Sequence, residues 1–434
     1  MVGAHAVASG LRRRAHGHLH LRRHSHSEGG AAVNTAINSN AATDAQAARD
    51  FDAVVVGGGV MGCTTALFLA RGGMRVALVE RDALCRAASG VNAGTLTLHM
   101  TRAALVPYAM RAWPMWMNAE SWLGAGVAAT AAPGLSLAFT PAEQELLRAR
   151  AAARREYGAQ IGLLDPAAAL AVEPGLNPAM LEAAHCEMDG FASAYLTGRA
   201  YRAALRAANV EIVEYAAVSR IERERGAYRV HAERRDGTPE RLDGARLVLA
   251  GGVWLEPMLA MLDVHVPVKT LVNQLIVTER LPPVMRTVLS IANGLLSMKQ
   301  FDNGTVLIGG GWQGVGDRVN GPVETIPQNL QGNLRLAQHV IPALANARVA
   351  RIWLGLESET ADAMPMLGPI PGHDAAWVIG CVHSGYTSGP FMGKLLAQAM
   401  LGSEPDLPLF DPARLVVAPG AQSTHSSAHR EPKP

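Results

Sequence analysis

"FDAVVVGGGVMGCTTALFLARGGMRVALVE", residues 51–80, sets three valines before three glycines and ends on a glutamate. "DAVVV" reads as a short buried strand, "VMGCTTALFLARGG" has helical spacing with a Gly-Gly stop, and "RVALVE" reads as a second buried strand. In this βαβ unit the glycines fall as G-x-G-x-x-G at Gly57, Gly59 and Gly62. Gly57 permits the tight turn, Gly59 lets backbone approach a pyrophosphate, and Gly62 lets helix and strand pack closely. The helix start adds free N–H groups and the positive end of a dipole. Glu80 ends the second strand, where a carboxylate accepts hydrogen bonds from ribose hydroxyls. The same charge repels a ribose 2′-phosphate, so NAD and FAD are expected and NADP is disfavoured.

The remaining composition fits such a protein. A chain of 434 residues that is 49% hydrophobic and 18% charged has room for a large α/β unit with a second domain. The net charge is +2, but residues 1–50 supply about +3, six Arg against Glu28, Asp44 and Asp50, leaving the body near −1. A near-neutral body lacks the basic face that nucleic-acid binding needs. Cys63, Cys85, Cys186 and Cys381 lie far apart with no C-x-x-C pair, which argues against a disulfide scaffold, and no metal site is expected in the body. The charge-free run Ala53–Ala70 approaches the length of a membrane span, but its four glycines fit a strand-turn-helix and not a span. Residues 1–50 mix Arg and His with small polar residues and read as a disordered extension or an upstream start. Their Arg-rich start is similar to an organellar transit segment and their histidine spacing could catch a metal, while the apolar segment of a secretory signal is missing. A cytoplasmic protein is expected, with targeting left open by this extension.

Further along, residues 141–171 read as helices, and "YLTGRAYRAALRAANVEIVEYAAVSRIERE" as a helix and a strand. "YRVHAERRDGTPERLDGARLVLAGG" reads as a hairpin feeding a buried strand, and Val268–Trp312 as half-exposed antiparallel strands. The second triplet, Gly309–Gly311, is followed by turn-rich "WQGVGDRVNGP" and opens no helix. "AAWVIGCVHSGYTSGPFMGKLLAQAML" reads as a buried strand, a Gly-rich loop and an apolar helix.

The loop "CRAASGVNAGTL", residues 85–96, resembles the "ASGxNAG" segment of the FAD-dependent D-amino-acid oxidase superfamily, which includes glycine oxidase, the sarcosine oxidases and heteromeric amino-acid and opine dehydrogenases. "VLAGGVWLEPM", "GTVLIGGGWQ", "GLESETADAMPMLGPIPG" and "HSGYTSGPFMGKLLA" match further segments of that superfamily in order, so the likeness spans residues 51 to about 410. It implies an α/β fold in which a Rossmann-like FAD-binding domain is interleaved with an α+β substrate domain built on an antiparallel sheet. The expected layout is an extension over 1–50, FAD-binding parts over 51–130, 191–267 and 346–412, a helical substrate segment over 131–190, an antiparallel substrate sheet over 268–345, and a disordered tail over 413–434. It implies contacts to the FAD pyrophosphate from Gly57, Gly59, Val60, Met61 and Gly62, and to the adenosine from Glu80 and Arg81. Ser89, Asn92, Ala93, Gly94, Thr95 and Leu96 would follow the diphosphate and the flavin edge. Val218 would meet adenine, Gly251 and Trp254 match the second loop, and Gly385, Tyr386, Thr387, Ser388 and Gly389 match the loop facing the flavin's pyrimidine end. A helix beginning near Pro390 would aim its dipole there. No cysteine lies in "GLESETADA", so the FAD is expected to be non-covalent.

The resemblance implies hydride transfer from a carbon bearing an amine, giving an imine that water hydrolyses; the substrate would be an amino acid or related amine. Family members acting on D-amino acids often place an Arg shortly after "GL" to hold the carboxylate, and here Glu357 stands there, with Ala361 in place of the usual proline. Glu357 would repel a bare carboxylate and could hold a cationic amine or guanidinium, unless it pairs with a neighbour such as Arg351; a carboxylate could then be bound from elsewhere, by Lys269 or Lys299. His99 and His383 are pocket candidates that could equally be packed structural residues, and Tyr108, Trp113 and Trp116 are expected to pack between domains. "SGVNAGTL" and "HSGYTSGP" look most like the catalytic β-type subunit of a heteromeric dehydrogenase, which would bring partner subunits. The alternatives are an oxygen-using glycine or D-amino-acid oxidase, a flavin-binding subunit without turnover, and an NAD-dependent dehydrogenase.

Overall fold

The computed structural model describes residues 49–418 apart from 225, 320 and 321, so the readings of 1–48 and 419–434 lie outside the described residues. Two boundaries shift inside that range. Arg49 and Asp50 belong to β1 (Arg49–Val56) and not to the extension. Residues 413–418 are not a disordered tail: Leu415 is buried, Arg414 bonds Asp362, and the Val417 N–H donates to the His265 carbonyl at 2.9 Å.

β1, α1 (Val60–Arg71) and β2 (Val76–Val79) form the expected unit, and α1 stops at Gly72, whose N–H bonds the Phe68 carbonyl. β1 and β2 run parallel, Val54 opposite Ala77 and Val56 opposite Val79. The valines are wholly buried because the sheet is covered on both faces. On the far side of β1 the strand Pro239–Leu249 also runs parallel, and its last residues, Leu247–Leu249, pair in turn with Ala376–Val378. Three parallel strands therefore end at one sheet edge, delivering Gly57, Ala250–Gly251 and Cys381 to the same place, the position where open α/β sheets bind ligands. α1 packs against the helix Gly385–Met400, and the approach is close enough that a Cβ on Gly393 would lie 2.6 Å from the Thr64 Cβ.

A second eight-stranded sheet runs in the order Val349–Glu359, Lys269–Thr278, Val306–Gly309, Ser297–Gln300, Val288–Ile291, Gly134–Ala138, Glu182–Cys186, Ile161–Leu164. Its neighbours are antiparallel except Val288–Ile291 with Gly134–Ala138, which are parallel. Three expectations change here. Val349–Glu359 lies in the stretch assigned to FAD binding but pairs with Lys269–Thr278 along its length. Ile161–Leu164, within a stretch read as helical, is an edge strand on Glu182–Cys186 between the helices Pro141–Glu156 and Pro166–Val172. Val288–Ile291 and Val306–Gly309 are buried throughout, because Leu289, Ile291, Met298 and Ile308 share a core with Ala337 and Val340 of the helix Pro327–Val340, and Ser290 faces a cavity on the other side.

Candidate functional site

A cavity of about 710 Å³ lies between the converging strand ends and the second sheet. Its end at the strand tips is lined by Gly57–Gly62, Glu80, Arg81, Val218, Gly251 and Trp254. A Cβ on Gly59 would touch only the Ser89 hydroxyl at 3.2 Å, so this glycine keeps open a cradle that any side chain would fill. Gly57 has φ +111° and lies against the Ala250 carbonyl, a conformation and a fit available to glycine alone. Glu80 accepts from the Gly58 N–H at 2.7 Å with one oxygen and from the Asp82 N–H at 2.9 Å with the other. Burial pushes its pKa up, against those two backbone donors, and each oxygen keeps a lone pair for a ribose hydroxyl. Arg81 lays its guanidinium over the Trp254 ring, 3.3 Å from the centroid, and the strand holding Val218 slips register between Val218 and Arg220 beside the same opening. These features fit the ADP half of a dinucleotide.

The middle of the cavity is a knot of backbone and hydroxyls. Ser89 accepts from the Val60 N–H at 3.0 Å, and Asn92 closes its own loop by accepting from the Gly94 N–H and donating to the Ala88 and Ser89 carbonyls. Thr387 donates to the Thr95 carbonyl at 3.0 Å, tying the two flavin-type loops together. Ala93, Thr95, Gly385, Tyr386 and Thr387 line the cavity. Gly94, Leu96, Ser388 and Gly389 do not: Gly94 turns the chain at φ +67°, Leu96 and Ser388 are buried in packing, and Gly389 faces Val60.

The helix following that loop starts at Gly385, not near Pro390, and Pro390 sits inside it. A proline there has no N–H for the Tyr386 carbonyl four residues back. The Trp116 indole fills the gap, donating to the Tyr386 carbonyl at 3.1 Å and the Thr387 carbonyl at 3.0 Å while its ring stacks on Tyr386 at 4.5 Å. Trp116 is thus a support for the loop, while Tyr108 is bonded to the Pro408 carbonyl and Trp113 to that of Asp189.

At the sheet wall, Glu357 joins His383 Nδ1 at 3.0 Å and Asn273 Nδ2, and both Glu357 and His383 line the cavity. Burial opposes the Glu357 charge, but His383 and Asn273 outweigh it and hold the carboxyl below its usual range. Glu357 in turn raises His383. Arg351 is not the partner; it stacks on Trp353. His99 is buried between the Asp189 carboxylate and Ser290 Oγ, 3.1 Å from Nε2, so it is at once packed and part of the wall. Neither lysine considered for a carboxylate lines the cavity: Lys269 pairs with Glu359 at 3.7 Å, and Lys299 is fully buried and donates to Thr95 Oγ1 at 2.7 Å. Among the described residues no cluster of His, Cys, Asp or Glu could hold a metal.

Burial lowers Lys299 to about 7. Between about 7 and the ordinary 10.5 the unfolded chain binds more protons at this site than the folded one, so stability rises with pH across that window. Lys299→Met is expected to flatten that slope and to raise the thermal midpoint of the holoprotein at pH 6 by at least ~2 °C. An unchanged slope in melts from pH 6 to 10 would refute this reading of Lys299.

The chain matches the model of the FAD dependent oxidoreductase family over residues 52–399. It is 28% identical to glycine oxidase of Pseudomonas aeruginosa, over 83% of this chain and 96% of that one. It is 26% identical to an opine oxidase subunit of Rhizobium meliloti, over 84% and 98%. Its fold is similar to that of glycine oxidase from Geobacillus kaustophilus, with a TM-score of 0.75 and 24% identity over 86% of this chain and 99% of that one. The L-proline dehydrogenase of P. horikoshii gives a TM-score of 0.76 at 20% identity, covering 85% of this chain and 98% of that one.

Proposed function

Because the chain belongs to the FAD dependent oxidoreductase family, and so is an oxidoreductase that uses FAD, we propose that it oxidises the CH–NH bond of an amino acid or related amine. The observation that carries this reading is the convergence of Gly57–Gly62, Ser89–Thr95, Gly251–Trp254 and Gly385–Thr387 on one cavity whose opposite wall presents the Glu357 carboxylate. Bound FAD supplies the hydride acceptor; the chain's own residues bind and orient the amine. Glu357 is the group that would meet a substrate cation, and Asn273 fixes its second oxygen. A cation arriving at Glu357 competes with His383 for that carboxylate and so weakens the imidazole's hold on its proton. The FAD would be held without a covalent bond, through the glycine cradle, Glu80 and the two tied loops.

Similarity to glycine oxidase and to a subunit of opine oxidase supports an amine substrate, and similarity to a protein that is one subunit of an oxidase supports work alongside other chains. No described helix is long and apolar enough to cross a membrane. The test is an anaerobic screen of amino acids, N-methyl amino acids and opines against the yellow holoprotein. Bleaching by at least one of them is expected. Rapid recovery of colour in air would mark an oxidase, and recovery only with an added acceptor a dehydrogenase. Bound FAD that no amine bleaches would overturn the proposal in favour of a non-catalytic flavin subunit.

A further inference from the structure

We infer that the cavity carries, at the end away from the nucleotide, a subsite for the carboxylate tail of an extended amine substrate, formed by Arg150 and Arg154 with the hydroxyls of Ser136 and Ser290. The helix Pro141–Glu156 lies over the strands Gly134–Ala138, Ile161–Leu164 and Glu182–Cys186, and Leu147, Arg150, Ala151 and Arg154 all line the cavity. The two arginines, four residues apart, occupy one helix face.

Each is anchored to backbone and not to an acid. Arg154 Nε donates to the Thr101 carbonyl at 2.7 Å, and Arg150 donates to the Ala292 carbonyl at 2.5 Å. Arg148 of the same helix, by contrast, is paired with Glu182. Among the described residues neither Arg150 nor Arg154 has a carboxylate within ion-pair distance. Asp189, the acid that acts on Arg154, is already engaged by His99 and by the Leu98 N–H. Burial, reinforced by repulsion from Arg150, lowers Arg154 to about 10. Two guanidiniums therefore share a partly buried wall with neither in an ion pair of its own, and each keeps N–H donors beyond its one backbone bond that an oxyanion could accept from. Ser136 and Ser290 add hydroxyls on the same wall, Ser290 being fixed by His99.

The sheet order sets the length of the ligand. Lys299, bonded to Thr95 of the flavin-type loop, marks the strand Ser297–Gln300; Ser290 and Ser136 stand one and two strands further on, roughly 5 and 10 Å across the sheet. Glu357 lies three strands the other way, roughly 14 Å. The wall is therefore negative at one end and positive at the other, with the flavin-type loops between. The class of substrate it takes is an amine with a carboxylate several bonds from the reacting carbon.

This inference rests on the proposed amine oxidation for its substrate, but its test does not. Titration calorimetry of the oxidised holoprotein with adipate, which has no amine to oxidise, should show binding that Arg154→Gln weakens at least about tenfold. Arg154→Lys, keeping the charge, should restore part of it. In parallel, flavin reduction by N-pentylglycine and N-(5-carboxypentyl)glycine is compared. Arg154→Gln should raise KM for the carboxylate-tailed compound alone and leave kcat unchanged. Arg150→Gln, at an exposed position that leaves the Thr101 anchor intact, should act in the same direction and covers the case in which the Arg154 variant does not fold. Adipate binding that is absent or indifferent to both arginines, or an equal rise in KM for both amines, would overturn the subsite. Failure of both amines to reduce the flavin would instead count against the proposed amine oxidation, with adipate still deciding the subsite.

Discussion

Gly57→Ala is expected to yield a protein that retains little or no FAD and melts at lower temperature. Its φ of +111° is strained for any side chain, and the added Cβ would lie 2.4 Å from the Ala250 carbonyl oxygen and 2.6 Å from its carbon. Those atoms are backbone at the end of the strand paired with β1, so relief requires prising apart the two strands that frame the nucleotide end. Strain of this kind, with the displaced turn, amounts to about 3 kcal/mol, or a hundredfold in FAD affinity. Gly59→Ala is the instructive contrast. Its Cβ meets only a serine hydroxyl at 3.2 Å, so the fold should survive with an unchanged FAD-free midpoint while the filled cradle still excludes the pyrophosphate. Flavin absorbance per protein and thermal melts of both variants check the pair. Equal flavin content in Gly57→Ala and the parent would remove the assignment of this turn.

The glycine turn between β1 and α1 and the acid after β2 were legible in the sequence because every cause there is local. The turn, the cradle and the acid at the end of β2 all lie within thirty residues, each with a residue type that few other roles demand. The other wall is assembled from distant pieces. Glu357 was singled out by departure from a family pattern, but its partner His383 lies on another loop and Asn273 on the neighbouring strand, and no periodicity links them. Arg150 and Arg154 lie in a stretch whose pattern reads only as helical; the tertiary path of that helix over the sheet turns them to the cavity. The Trp116 contact did have a signal. Pro390 inside an apolar helical pattern leaves one carbonyl without its donor, and reading that proline as a helix start hid the vacancy. Ile161–Leu164 escaped because four residues between two helices carry too little pattern to outweigh their flanks.

Glu357→Gln is expected to raise KM at least about tenfold for amines bearing a cationic group that reaches this wall, and to leave uncharged-tail amines within about twofold, the loss being one charge-assisted hydrogen bond. The variant keeps an acceptor for Asn273 and removes only the charge. The pH dependence separates this from a packing defect. In the parent, protonated His383 competes with a substrate cation for Glu357, so affinity should climb as pH rises through the elevated His383 value and then level off. In the variant the largest cause that raises His383 is gone, leaving only the more weakly acting Glu359 against burial and Arg102, and the climb should flatten. Stability carries the same signature. His383, raised in the fold, contributes stability below its ordinary 6.5 that is lost as pH rises through the folded value; Glu357, lowered in the fold, contributes above its ordinary 4.5 and is lost as pH falls. The pair therefore stabilises most between about 4.5 and 6.5, and the difference in thermal midpoint between parent and variant should peak there. A midpoint difference independent of pH, together with unchanged KM for cationic amines, would mean that Glu357 serves the fold and leaves substrate choice to the arginine end of the wall.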